Sequence, residues 1–243
     1  MLKLGYSHYV GQGGDWGSIV LRAMALTYPK ACIGIHLNFI MTLPPVPMKH
    51  PITLLWLILR WFTPEEKKRL ARLQWWLKDE AGYSKIHGTK PQTISYGLLD
   101  SPVGMLAWLR EKMESLIDPD YVWDKEMVIT WTMFYLLSGS SWHARIYKEG
   151  IRTVPKAVLE KKITSEVAFG ASCFPLDVGY VPLWWAKATI AENIVFWKEH
   201  SKGGHFPSVE CSEVLKEDIW EFVRGIPESG QGLLKGNQGL ARL

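Results

Sequence analysis

The chain has 243 residues, of which 47% are hydrophobic, so it can build a packed core and is not mainly disordered. Its 28 basic and 24 acidic residues give a net charge of +4 without a basic block, which excludes the charge pattern of a nucleic-acid-binding protein. Thirteen tryptophans predict broad aromatic surfaces that fill a core, line an apolar pocket, or do both.

The first 40 residues have the pattern of a βαβ unit. A short apolar segment, Tyr9–Gly11, leads directly into the sequence GGDWG at positions 13–17. A helical pattern follows over Ser18–Thr27, and Cys32–Phe39 is typical of a buried parallel strand. Residues 1–40 are therefore expected to form the first part of an α/β core.

Residues 41–162 are expected to form a helical insertion, because helical patterns recur there and no strand pattern does. The helices are predicted near 52–62, 64–79, 91–98, 102–116, 122–137 and 155–161. One helix start is marked by Asp100-Ser101-Pro102, with proline in the first turn.

The most apolar run of the insertion, Ile52–Phe62, is too short to span a bilayer and contains Arg60. Two interpretations stay open for this run. It is either a buried helix of the insertion or a helix that rests on a membrane surface as a peripheral contact.

Strand character returns at Glu166–Cys173 and Asn193–Trp197, and an amphipathic helix is predicted over Ser212–Arg224. Residues 163–226 are therefore expected to complete the core, and the glycine-rich residues 227–243 to form a flexible tail.

The cysteine pattern and the N-terminus bear on location. The chain has three cysteines and no CxxC pair, so we expect reduced, structural thiols. No apolar signal-peptide region opens the chain. Both observations favour a cytoplasmic protein.

GGDWG fits the nucleophile-elbow pattern, with Asp15 at the position of the nucleophile. Such a residue sits on a tight strand-to-helix turn, and small residues two positions before and after it allow the backbone to pack closely. The Trp16 N–H, in the first helical turn, is expected to stabilise an oxyanion. A carboxylate nucleophile attacks a saturated carbon and forms an ester with it.

His205, within KGGHF at 202–206, is the candidate general base, because it lies on a glycine-flanked loop after the last predicted strand. The order nucleophile, acid, histidine then makes Asp177 the candidate acid that orients the imidazole. Asp177 follows the strand Glu166–Cys173, whereas its rival Glu192 precedes the last strand and lies at the wrong end of the sheet.

These motifs, in this order, resemble those of the microsomal-type epoxide hydrolases and their fungal relatives. GGDWG, FPLD at 174–177 and GGHF at 203–206 carry the resemblance, together with Gly82-Tyr83, HGTKP at 87–91 and DSPVG at 100–104. The resemblance runs from about Lys3 to Arg224. It implies an α/β-hydrolase fold, here the C-terminal part of the core sheet, with a helical lid at 41–162.

The family uses two lid tyrosines to bind the epoxide oxygen and protonate it, and by position these are Tyr83 and Tyr147. A positioned O–H donor also meets a general need, because an alkoxide is a poor leaving group at neutral pH. Tyr96, Tyr121 and Tyr135 are expected to be packing residues.

The implied reaction is hydrolysis of an apolar epoxide to a vicinal diol with water, with no metal and no organic cofactor. A role in detoxification or aromatic hydrocarbon catabolism would follow. A homodimer is an open expectation.

The sequence departs from the family before the elbow. No His-Gly-x-Pro motif, which supplies half of the oxyanion hole in the family, occurs in this sequence, and only 14 residues precede Asp15. We therefore expect early core strands to be missing and activity to be impaired. Two alternatives stay open: a haloalkane dehalogenase-like hydrolase, and a truncated, inactive relative.

Overall fold

The strands form one parallel sheet in a computed structural model that describes residues 1–139, 142–153 and 156–235. In chain order the strands are β1 (Tyr9–Gly13), β2 (Cys32–Leu37), β3 (Ala168–Cys173) and β4 (Ile194–Glu199). They are neighbours in that same order, and every pairing is parallel. β2 and β3 are buried along their whole length, which is why their sequences are largely apolar.

The helices of the described residues divide between the core and a large insertion after β2. In chain order they are α1 (Asp15–Thr27), α2 (Pro51–Ile58), α3 (Pro64–Trp75), α4 (Gly82–Thr89), α5 (Pro91–Asp100), α6 (Pro102–Ser115), α7 (Lys125–Leu137), α8 (Trp142–Thr153), α9 (Lys156–Glu160), α10 (Leu183–Thr189), α11 (Pro207–Glu210), α12 (Ser212–Gly225) and α13 (Glu228–Lys235).

Two helices cover opposite faces of the sheet. Leu21 and Ala25 of α1 join the larger core cluster with the strands and α10. Phe222 of α12 packs in a second cluster with Ile33 and Phe196. The strands before and after the insertion therefore meet in one sheet that has helices on both faces.

The insertion between β2 and β3 is helical among its described residues, with α4 packed on α8 and α6 packed on α7. Ser101 caps α6 and accepts a hydrogen bond from the Gly104 N–H at 3.0 Å, as the start signal predicted. The helical patterns of the sequence do not predict α4 and α8. α4 contains two glycines and has no side-chain cap, so its intrinsic helix signal is weak.

α2 differs from the expectation of a buried helix. None of its residues is buried, and Ile52 and Ile58 are 66% and 67% exposed. Only one side packs, where Trp56 meets Trp184 with ring centroids 5.5 Å apart. No described helix has the length and apolar character needed to cross a bilayer.

The flexible tail predicted from residue 227 is instead helical over α13, and residues 236–243 lie outside the described residues. Leu234 packs on the cluster beneath α12. The Gln231 side chain donates to the Ile226 carbonyl at 2.7 Å. The segment is therefore held by one tertiary apolar contact and by a local hydrogen bond.

Candidate active site

Asp15 is the first residue of α1 and has a φ of +45°, a conformation that costs energy for a residue with a Cβ. Its side chain is 55% exposed and faces a cavity under the lid. A Cβ on Gly13 would lie 2.8 Å from the Gly17 carbonyl carbon, so the turn closes tightly there. A Cβ on Gly17 would meet open space, so the expected need for a small residue applies before the nucleophile and not after it.

The backbone N–H of Trp16 lies in the first turn of α1, where helical N–H groups have no partner within the helix. Such groups favour negative charge. Ser18 braces this turn by donating from Oγ to the Asp15 carbonyl at 2.7 Å.

His205 lies on the loop between β4 and α11 and bridges the two acids. Its Nδ1 is 2.8 Å from Asp177 Oδ1, and its Nε2 is 3.8 Å from Asp15 Oδ2. The side chains of His205 and Asp177 are 8% and 1% exposed. Asp177 Oδ1 also accepts the Val178 N–H at 2.7 Å. Glu192 instead accepts from the Ser165 N–H at 3.1 Å, at the other end of the sheet.

The electrostatics of His205 depend on both acids. Burial lowers the pKa of His205, but the charges of Asp177 and Asp15 and their hydrogen bonds outweigh burial and raise this pKa to about 10. His205 therefore holds a proton at neutral pH while Asp15 is negatively charged. Loss of the Asp15 charge would lower the pKa of His205 again.

The lid holds the His205 loop through contacts that the sequence did not reveal. The Leu116 carbonyl accepts the His205 N–H at 2.8 Å. A Cβ on Gly204 would lie 2.5 Å from that same oxygen, so glycine is needed for the approach. Asp118 accepts the Gly203 N–H at 3.0 Å, and Glu210 accepts the Phe206 N–H at 2.8 Å.

Tyr83 on α4 and Tyr147 on α8 lie together across from Asp15. Their ring centroids are 5.7 Å apart, and Tyr147 packs edge-on against Trp16 at 5.2 Å. Burial raises the pKa of each tyrosine, and the Asp15 charge raises it further. Both hydroxyls therefore stay protonated and can donate hydrogen bonds.

Two cavities meet at this point, a large one of about 640 Å³ and a small one of about 250 Å³. The large cavity is lined mainly by apolar side chains such as Leu73, Val181 and Trp185. The residues that line both cavities are Asp15, Trp16, Tyr83, Leu116, Tyr147 and His205. A molecule with its reactive group between Asp15 and the tyrosines can extend into both.

The tyrosines expected to be packing residues take three different positions. Tyr121 packs in a lid cluster around Trp123, as expected. Tyr96 is 65% exposed, because that face of α5 points to solvent. Tyr135 lines the small cavity, because α7 turns its ring toward His143, with centroids 5.0 Å apart.

Comparisons with known proteins bear on the family and the fold. The juvenile hormone epoxide hydrolase of Bombyx mori is 32% identical over 92% of this chain and 51% of its own. The solved structure of Aspergillus niger epoxide hydrolase has a TM-score of 0.77 and 31% identity over 91% of this chain and 53% of its own.

A juvenile hormone epoxide hydrolase structure from Bombyx mori has a TM-score of 0.81 and 30% identity over 93% of this chain and 56% of its own. No model of a known protein family matches the chain. The chain spans about half the length of the curated relatives that it matches.

Proposed function

The chain belongs to the epoxide hydrolases of the α/β-hydrolase fold, and from that premise we propose that it hydrolyses an apolar epoxide to a vicinal diol through an ester on Asp15. The observation that carries the proposal is a carboxylate at the elbow, facing two tyrosine hydroxyls within shared cavities. A serine at this position would favour attack on an acyl group, whereas a carboxylate favours attack on a saturated carbon.

In the first step the epoxide oxygen lies between Tyr83 and Tyr147. An Asp15 oxygen attacks one ring carbon, the C–O bond of that carbon breaks, and its electron pair moves to the epoxide oxygen. A tyrosine O–H supplies the proton that makes this oxygen a hydroxyl. The apolar lining of the large cavity accommodates the rest of the substrate and excludes water.

In the second step water attacks the ester carbonyl carbon of Asp15. Ester formation has removed the Asp15 charge, so the pKa of His205 falls and His205 loses its proton. That proton replaces the one that the tyrosine gave up in the first step. The Nε2 of His205 then takes a proton from water. Asp177 stabilises the imidazolium, and the Trp16 N–H stabilises the oxyanion. The bond between the carbonyl carbon and the substrate oxygen then breaks, this oxygen takes the proton of the new Asp15 carboxyl group, and the diol leaves with Asp15 again a carboxylate.

The haloalkane dehalogenase alternative uses the same nucleophile, but a halide leaves without protonation. A halide leaving group would not need the two tyrosine donors, so their presence favours an epoxide substrate over a haloalkane. A bromoalkane assayed beside the epoxide separates the two, since bromide release without diol formation would support the alternative.

The trapping of the ester is the experiment that tests the proposal. His205→Gln should react with styrene oxide but release diol very slowly, so the peptide that contains Asp15 gains the mass of one epoxide. Asp15→Asn under the same conditions should gain none. An adduct on another residue, with Asp15 unmodified, would show that the nucleophile is wrong.

The tyrosines are tested by the rate of the same adduct. In the His205→Gln background, Tyr83→Phe or Tyr147→Phe should slow alkylation roughly tenfold or more, the contribution expected of a general acid. Tyr96→Phe, on an exposed face, is the matched control. Equal rates in all three would place the proton donor elsewhere.

We also infer that residues 1–243 assayed alone turn over slowly. In the described sheet β1 has a neighbour on one side only, which leaves a row of its backbone groups without a strand partner. The sequence also has no His-Gly-x-Pro motif, which supplies the second oxyanion donor in the family. Loss of one such donor typically costs about 10²–10³ in rate. Co-expression with the N-terminal half of the Aspergillus niger relative should raise turnover and melting temperature, and unchanged values would refute the inference.

A further inference from the structure

The small cavity differs in chemistry from the large one. Beyond the catalytic residues, its wall carries His87 on α4, Lys112 on α6 and His143 on α8. Asp15 is the only carboxylate among the described residues that line it. The wall away from the nucleophile is therefore polar and carries positive charge.

His87 is buried without a partner. The residue is 3% exposed, and neither of its ring nitrogens has a hydrogen-bond partner among the described residues. The Nε2 of His143, whose ring centroid is 5.7 Å from that of His87, also has no partner within the described part of the chain. Buried polar groups are normally paired, so two such rings facing one cavity indicate a ligand that supplies the partners.

The protonation of these rings allows them to donate. Burial, together with the neighbouring His143 and Lys112, lowers the pKa of His87 to about 4. Burial also lowers the pKa of His143. Each ring is therefore neutral at physiological pH and has one N–H to offer.

Lys112 provides the charge. Its side chain is 20% exposed, and its Nζ lies 4.2 Å from the ring centroid of Trp108 and 5.6 Å from that of Tyr83. The ammonium group also contacts Glu111, whose side chain is 59% exposed. The ammonium group therefore contacts an exposed carboxylate on one side. On its other side it contacts aromatic rings that line the small cavity.

From this combination we infer that the small cavity binds a carboxylate of the substrate, with Lys112 as the cation and His87 and His143 as N–H donors. The inference rests on the proposed function and narrows its substrate class to an epoxide with an apolar body on one ring carbon and a short arm ending in a carboxylate on the other. A cavity of about 250 Å³ holds roughly eight water-sized groups, which suits a few methylenes and a carboxylate.

A neutral oxygen at the end of the arm would use the N–H donors but not the charge. The carboxylate is favoured because a lysine ammonium group that is largely buried beside aromatic rings interacts far more strongly with an anion than with a dipole. The two ligands can be distinguished by affinity.

The test measures binding of phenylhexanoate and phenylhexanol to the 243-residue chain by titration calorimetry at neutral pH. Neither probe has an epoxide, so the result does not depend on turnover. The acid should bind about tenfold more tightly than the alcohol or better, the difference expected of charge-assisted hydrogen bonds. Lys112→Gln should remove most of this preference and leave the affinity for the alcohol within about twofold. His87→Leu removes an N–H donor that both probes use, so it should weaken the binding of both, and unchanged binding of both would contradict the role of His87.

Lys85→Gln, an exposed lysine on α4 that lines neither cavity, is the matched control and should bind both probes like the unchanged chain. Equal binding of acid and alcohol, or an undiminished preference in Lys112→Gln, would overturn the inference. If that variant does not fold, Lys112→Met decides by the same criterion.

Turnover separates this inference from the proposed function. A phenyl oxirane with a butanoate arm is compared with its methyl ester. Hydrolysis of both with equal kcat/KM would reject the carboxylate site and keep the hydrolase. Binding preference for the acid without hydrolysis of either would keep the site and reject the reaction.

Discussion

The molecule contains two buried Asp–His pairs with opposite settings. Asp177 and His205 are 2.8 Å apart at the carboxyl ends of β3 and β4, and His205 faces Asp15 and both cavities. Asp218 of α12 and His200 at the end of β4 are 2.5 Å apart, beneath α12. An Asp–His contact by itself therefore does not identify an active site.

In the second pair, Asp218 has further hydrogen-bond and ion-pair partners. Ser172 Oγ donates to Asp218 Oδ2 at 2.6 Å, His36 lies 3.0 Å from Ser172, and Lys198 Nζ is 3.0 Å from Asp218 Oδ1. Although burial raises the pKa of Asp218, hydrogen bonds from Ser172, His200 and Lys198 outweigh it and lower this pKa. The comparison teaches that access of the histidine to a cavity and to a second carboxylate, Asp15, distinguishes the Asp177–His205 pair from the Asp218–His200 pair.

The largest expected effect separates the two pairs by turnover. Asp177→Asn should lower diol formation from an aryl epoxide by roughly 10³–10⁴, because asparagine cannot stabilise the imidazolium of His205. Asp218→Asn, corrected for its folded fraction by circular dichroism, should stay within about threefold of the unchanged chain. Similar losses of diol formation in both variants would show that the two Asp–His pairs do not differ in this way.

Stability should not separate the two pairs in the same way. Asp218→Asn should reduce the free energy of unfolding by about 3 kcal/mol, because it leaves His200 and Lys198 without their buried partner. Asp177→Asn should also reduce it at neutral pH, because it removes the charge that stabilises the buried, protonated His205. Urea unfolding at neutral pH measures both, and an unchanged free energy of unfolding in Asp218→Asn would contradict the structural role of the second network.

The smallest expected effect is on the pH dependence of stability, where the two regions have opposite signs. Burial lowers the pKa of His36 to about 4, so the unfolded chain binds this proton first and stability falls as the pH drops from about 6.5 toward 4. The pKa of His205 is raised to about 10, so its contribution is complete below about 6.5 and is lost as the pH rises toward 10.

Urea unfolding at about pH 5, 7 and 9 therefore resolves the two histidines. His205→Gln should flatten the alkaline side of the stability profile and leave the acid side sloping. His36→Asn should do the opposite, although His87, which is also buried and neutral, retains part of the acid slope. An alkaline slope that survives in His205→Gln would mean that another group carries it.

The sequence alone determined the parts of the site that lie on short local patterns. The turn around Asp15 follows from glycines beside a strand and a helix, and the chain order of loops after β3 and β4 singled out Asp177 and His205. The resemblance added Tyr83 and Tyr147, which the lid brings together. Asp15, Asp177 and His205 lie close together because backbone sterics act over a few residues and strand order acts through one sheet edge.

Only the tertiary structure decided what surrounds that site. The Leu116 carbonyl that holds His205, the ring of Tyr135 in the small cavity and the unpaired nitrogens of His87 depend on how separate lid helices cross. The exposure of α2 was also decided there, because apolar composition does not say which surface covers a helix. Such features arise from packing between distant segments, and no local pattern of the sequence encodes them.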